Sequence, residues 1–225
     1  MPVPAGMPED PVTRVGHVIY LHGFASSPKS SKAQRFGREL AACGVSFDCP
    51  DLNEPEFKTL TVSRMLEQVR QAIDRAPAAP IAIVGSSLGA FVALFASTEG
   101  VDRLILLAPA VDFGGNRLRQ LGEHGIDEWR RKGSIPFFHY GWNQPEEVGF
   151  ALYEDAARYD AFALDVTVPT LVFHGRRDAA VDPASVERWA AGRSNVDLRM
   201  LDDDHQLTSS IELIWEESRV FLGIR

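Results

Sequence analysis

Cysteine is scarce: Cys43 and Cys49 are the only two, and they do not form a C-x-x-C pattern. They cannot build a disulfide framework, and they read as two buried thiols of a reducing compartment. Long apolar runs are also missing. None approaches the ~20 residues that a membrane-spanning helix needs. Positive charge is in deficit, with 23 Lys and Arg against 31 Asp and Glu, a formal net charge of −8. Without a basic surplus to displace counterions, neither nucleic acid nor an anionic membrane is an expected partner. The first fifteen residues, MPVPAGMPEDPVTRV, hold no apolar h-region, so they read as a disordered tail over 1–15 rather than a signal peptide. The expected location is the cytoplasm. The histidines share no ligand spacing, so no metal and no other cofactor is expected. No internal repeat or low-complexity segment occurs.

What the chain does have is an ordinary globular composition, with 45% hydrophobic and 24% charged residues in 225. A chain of this length buries roughly 70% of its unfolded surface, which is enough for one large core over 16–225. Six short apolar runs stand out: His17–Leu21, Val45–Cys49, Ile81–Val84, Leu104–Leu107, Thr170–Phe173 and Val196–Leu201. Most are continuous rather than alternating, as in strands covered on both faces. Helical patterns separate them: Lys29–Cys43, Thr59–Arg75, Leu88–Ser97, a segment opened by Asp182-Pro183 and running to about Gly192, and Leu207–Leu222. This alternation predicts an α/β fold: a six-stranded, mostly parallel sheet with helices on both faces. The stretch Asp112–Asp165 is too long for a simple crossover and carries ten aromatic residues. Helical pieces are expected near Ile126–Lys132 and Gln144–Tyr159.

The strongest local signal is Gly85-Ser86-Ser87-Leu88-Gly89, a G-x-S-x-G placed between a strand and an apolar helix. Such a turn holds the hydroxyl of Ser87 clear of the sheet beside a helix N-terminus. Ser86 is adjacent but off-centre. A serine needs a base, and His205 follows the last strand, on the same sheet edge as Ser87. His174 ends the fifth strand and is the rival base. His124 and His139 fall in the long insertion, and His17 opens a strand at the opposite edge. The base needs a carboxylate to fix its tautomer. Asp178 follows the fifth strand. Asp182 competes but precedes a proline and reads as a helix cap. Asp202, Asp203 and Asp204 read as a solvated acidic run. An oxyanion needs backbone donors. Leu88 supplies one, and Phe24, in the Gly23 turn after the first strand, supplies the other. His22 reads as a brace for that loop.

Together, His22-Gly23-Phe24, Gly85 through Gly89, Gly175 through Asp178 and Asp204-His205 resemble the α/β-hydrolase superfamily. The narrower resemblance is to small bacterial serine esterases that open with a YLHGF-SSP stretch, and it covers about Gly16–Arg225. It implies a nucleophile at Ser87, an acid at Asp178, a base at His205 and oxyanion amides at Phe24 and Leu88. It also implies that the insertion, residues 112–165, is a helical lid. Two departures stand out. No antiparallel strands precede the first parallel one, and the insertion carries no signature of a named substrate.

An aromatic insertion above such a site suggests an apolar substrate pocket, with Phe113, Phe137, Phe138, Tyr140 and Trp142 as candidates. Alternatively, these rings pack the insertion's own core. The expected activity is hydrolysis of small or apolar carboxylic esters through an acyl-enzyme, with a small-molecule ester or thioester as partner. A thioesterase with the same three residues is one alternative, and a non-catalytic binding module on the same fold is another.

Overall fold

The computed structural model describes residues 14–97, 100–114 and 122–224. Six parallel strands form the central sheet: β1 (His17–Leu21), β2 (Ser46–Asp48), β3 (Ile81–Ser86), β4 (Arg103–Leu107), β7 (Thr170–Gly175) and β8 (Val196–Leu201), in the order β2-β1-β3-β4-β7-β8. The central strands are apolar on both faces because both faces are covered. Ile19, Leu21, Ile83, Leu104, Leu106 and Val172 pack into one core. Their neighbours Val18, Tyr20, Val84, Ile105, Leu107 and Phe173 pack into the other. Helices α2 (Val62–Arg75), α3 (Leu88–Ala96) and α6 (Pro183–Ala190) contribute Met65, Phe91 and Trp189 to the first core. Helices α1 (Ser31–Ala42) and α7 (Ile211–Phe221) contribute Phe36 and Trp215 to the second. The edge strand β8 has the weaker alternation of a half-covered strand.

The chain runs from β1 outward to β2, then returns to place β3 on the other side of β1. The connections after β1 and β3 therefore diverge to opposite sides, leaving a crevice at the carboxyl ends of these two strands, where such sheets bind ligands.

The segment between β4 and β7 contains α4 (Gly122–Lys132), a hairpin of β5 (Ser134–His139) and β6 (Gln144–Gly149), and α5 (Ala151–Ala156). The helix expected over Gln144–Tyr159 is therefore confined to its second half. The left-handed Asn143 (φ 55°) turns the chain so that Phe138 meets Pro145 and Ile135 meets Val148, which commits Gln144–Gly149 to a strand. Trp129 of α4 is fully buried and its indole N–H donates to the Val148 carbonyl at 2.8 Å. It packs on Phe137, Phe150 and Tyr153, so these rings form a small core of the insertion's own. Asp155 of α5 anchors the insertion to the body by accepting from the Ser63 amide at 2.7 Å, at the start of α2, and from the Ser63 hydroxyl at 2.6 Å. Most of the expected tail, residues 1–13, lies outside the described residues. Val15, its last residue, is fully buried and donates its amide to the Leu222 carbonyl at 2.9 Å. Cys43 and Cys49 are free and half-buried, and burial pushes the Cys49 thiol up to about 12.

Candidate active site

Ser87 stands between β3 and α3 with φ 54° and ψ −113°, a conformation that costs a non-glycine residue backbone strain. The fold holds it there on four hydrogen bonds. Its amide donates to the Leu107 carbonyl at 2.8 Å, and its carbonyl accepts from the Ala90, Phe91 and Ala110 amides at 3.1, 3.2 and 3.2 Å. The turn also depends on a close approach between α3 and the end of β1. A Cβ on Gly89 would lie 2.2 Å from the Leu21 carbonyl oxygen and 2.6 Å from that of His22. Both obstacles are backbone, so Gly89→Ala is expected to cost about 1–3 kcal/mol and to shift the loop after β1. A lowered melting midpoint in thermal denaturation checks this.

His205 comes from the loop after β8. Its Nε2 lies 3.1 Å from Ser87 Oγ and its Nδ1 lies 2.7 Å from Asp178 Oδ2. With Asp178 ionised, Nδ1 carries the proton and donates to the carboxylate, which leaves Nε2 to accept from the serine hydroxyl. The other Asp178 oxygen, Oδ1, accepts from the Ala180 and Val181 amides, both at 2.8 Å. Burial by itself would raise the Asp178 carboxyl. The His205 hydrogen bond and the Val181 and Ala180 amides outweigh it and hold the group below its ordinary value.

The rival candidates lie elsewhere. His174 is fully buried with Nε2 3.4 Å from Asp178 Oδ2 and 3.2 Å from the Val181 carbonyl, so it touches the carboxylate rather than the serine. Burial lowers its pKa, which favours the neutral ring. Asp182 caps α6 by accepting from the Ala184 amide at 3.0 Å. Asp202 pairs with Arg177 at the surface. The acidic run is not uniformly solvated, however. Asp203 is buried and accepts from the Asp204 and Ser210 amides, both at 2.8 Å, bracing the two ends of the His205 loop. The composition of the run conceals this role. Its sequence cue is the short distance from Asp203 to the start of α7. Gly175 lets this loop sit directly on the end of β7, since a Cβ there would lie 2.4 Å from the Asp203 carbonyl oxygen.

The loop after β1 closes the other side of the crevice. A Cβ on Gly23 would lie 3.4 Å from that of Ser87. Among the described residues, the Phe24 and Leu88 amides find no acceptor. His22 is the brace of this loop. Its Nε2 lies 3.0 Å from the Leu52 amide and 3.3 Å from Asp51 Oδ1, and its Nδ1 lies 3.0 Å from the Gly23 carbonyl oxygen. Asn53 adds a bond to the Ser26 carbonyl at 2.8 Å.

The candidate pocket aromatics divide. Phe137 meets the Phe24 ring edge-on at 5.3 Å, and the Gly141 amide at the hairpin tip donates to the Ala25 carbonyl at 3.3 Å. The hairpin therefore rests on the loop after β1. Trp142 stacks on His139 at 3.9 Å and meets Phe57. Phe113 is buried in the core against Phe91. Phe138 and Tyr140 are exposed and pack on each other. Phe138 stands on the hairpin face opposite Phe137, since neighbours along a strand point to opposite sides. Among the described residues no group of three or more His, Cys, Asp or Glu could hold a metal ion, and no helix is long and apolar enough to cross a membrane.

Solved structures share this architecture. A hydrolase candidate from Agrobacterium vitis S4 superposes with a TM-score of 0.83 at 24% identity, over 92% of this chain and 88% of its own. The mouse alpha/beta hydrolase domain-containing protein 10 gives 0.75 at 22%, over 92% and 90%. An esterase from Pyrococcus furiosus gives 0.63 at 20%, over 93% and 81%. At these identities the likeness shows the α/β-hydrolase fold. No curated protein matches the chain. Residues 17–218 match the family described as "Uncharacterised protein family (UPF0227)", a span that runs from β1 into α7 and takes in Ser87, Asp178 and His205; the chain belongs to that family.

Proposed function

We propose that this chain is a serine hydrolase that cleaves carboxylic esters of small or apolar acyl groups through an acyl-enzyme. The observation that carries this reading is the hydrogen-bonded row Ser87–His205–Asp178, with spacings of 3.1 and 2.7 Å. Ser87 Oγ attacks the ester carbonyl while its proton passes to His205 Nε2. The imidazolium that forms is stabilised by Asp178. The carbonyl oxygen becomes an oxyanion and accepts from the Phe24 and Leu88 amides. The C–O bond then breaks, and the alkoxide leaves with the proton from Nε2. Water attacks the acyl-enzyme with His205 again taking a proton. The acid is released and Ser87 regains its hydrogen. The row needs no group beyond these side chains and amides. The insertion acts as a lid whose hairpin sets one wall of the site through Phe137.

Reaction with a fluorophosphonate probe is expected to label Ser87 once per chain, as read by intact mass, with Ser87→Ala unlabelled. Absence of labelling in folded protein would favour a non-catalytic binding module. Matched p-nitrophenyl esters and acyl thioesters of increasing chain length then distinguish an esterase from a thioesterase. The expected outcome is faster turnover of the oxygen ester, with kcat/KM highest for short chains.

A further inference from the structure

Lys32 occupies a place that general physics disfavours. It is the second residue of α1, where the positive end of the helix dipole repels a cation. It is also half-buried, which penalises the charged form. Burial lowers its ammonium to about 8, even though Asp204, Asp178 and Asp203 favour the charge. Its Nζ donates at 2.9 Å to the carbonyl of Gln206, the residue after His205. Two costs accepted together suggest a compensating role, and this contact indicates it. The loop after β1, which carries Phe24, continues directly into α1. Lys32 is therefore a strut between the arm that holds one oxyanion amide and the loop that holds the imidazole.

We propose that Lys32 is a positioning residue for His205, fastening the Gln206 carbonyl so that the ring keeps its spacing to both Ser87 and the Phe24 amide. The proposal rests on the hydrolase reading above. Asp203 and Gly175 brace the same loop from the β7 side, and Lys32 is its tie on the α1 side. The charged groups that act on it are the Asp204, Asp178 and Asp203 carboxylates. The ammonium is charged below its own pKa. The charge-assisted bond therefore weakens as pH rises through about 8, and wild-type kcat declines above that value.

The test compares wild type with Lys32→Met, Lys32→Gln and Lys32→Arg, assaying p-nitrophenyl acetate from acid to alkaline pH, with melting midpoints and fluorophosphonate labelling measured alongside. Lys32→Met and Lys32→Gln are expected to lose about 10- to 100-fold in kcat. KM stays near wild type and the alkaline decline disappears. Lys32→Arg is expected to restore most of kcat and to carry the decline to higher pH, because guanidinium holds its proton. A folded Lys32→Gln protein with wild-type kcat, or with the alkaline decline unchanged, overturns the proposal. If Lys32→Met does not fold, the glutamine and arginine variants decide. A wild type that neither labels nor turns over substrate overturns the hydrolase reading itself, an outcome distinct from active wild type with equally active variants.

Discussion

Ser87→Ala is expected to lower ester turnover by about 10⁶-fold, and His205→Ala by a similar factor, because the members of such a row act as a unit. The double variant is expected to be little worse than either single one. The reason lies in the geometry. Removing Oγ leaves His205 Nε2 with no proton to take, and removing the ring leaves an uncharged hydroxyl with no acceptor in its place. The residual rate comes from binding and from amides aimed at an oxyanion, which both variants keep. Neither substitution changes backbone conformation by chemistry alone. Alanine at 87 must still adopt the positive φ, although four backbone hydrogen bonds hold that position. Single-turnover and steady-state assays on a p-nitrophenyl ester, with thermal melts as the folding control, check the result. Wild-type turnover by Ser87→Ala would remove the serine from the chemistry.

The second large effect is expected from Asp178→Asn, a loss of about 10⁴-fold in kcat with folding preserved. The surroundings dictate which way the new amide points. Oδ1 receives two backbone N–H groups, from Ala180 and Val181, so the carbonyl oxygen of the asparagine takes that side. The NH₂ group must then face His205 Nδ1 and donate to it. A nitrogen that accepts at Nδ1 carries its proton at Nε2, and such a ring cannot take the serine proton. His174 does not relieve the change: its Nε2 faces the Val181 carbonyl at 3.2 Å and keeps its proton for that bond, so the new NH₂ gains no acceptor there. Asp182→Asn provides the contrast. It alters a helix cap and is expected to cost a few tenths to about 1 kcal/mol of stability with activity retained. If Asp182→Asn were inactive and Asp178→Asn near wild type, the acid assignment would be wrong.

The sheet was legible because its strands are buried on both faces, which writes continuous apolar runs into the sequence. His17–Leu21 and Val196–Leu201 match their strands residue for residue. That Ser87, Asp178 and His205 meet was legible because parallel topology sends every loop at a strand's carboxyl end to one edge. The hairpin was less so. Gln144–Gly149 reads QPEEVG, with no alternation and Val148 its one aliphatic side chain, and its strand character comes from pairing with Ser134–His139 and from the Trp129 bond to Val148. Such non-local causes leave no local trace. Asp203 and Lys32 were missed for a related reason. A charged residue in a loop or at a helix start looks solvated until the surrounding fold buries it. The aromatic insertion supported two readings. Trp129, Phe150 and Tyr153 serve its own packing, while Phe137 reaches the Phe24 ring.

The order of the strands carries one further consequence. Ser87 and His205 are 118 positions apart, and the imidazole is delivered by the loop after β8, an edge strand that follows the other five sheet strands along the chain. During synthesis the hydroxyl therefore has no base beside it until the final strand has docked at the rim. Under the proposed hydrolase reading, Ser87 is expected to gain its reactivity only once β8 has docked on β7.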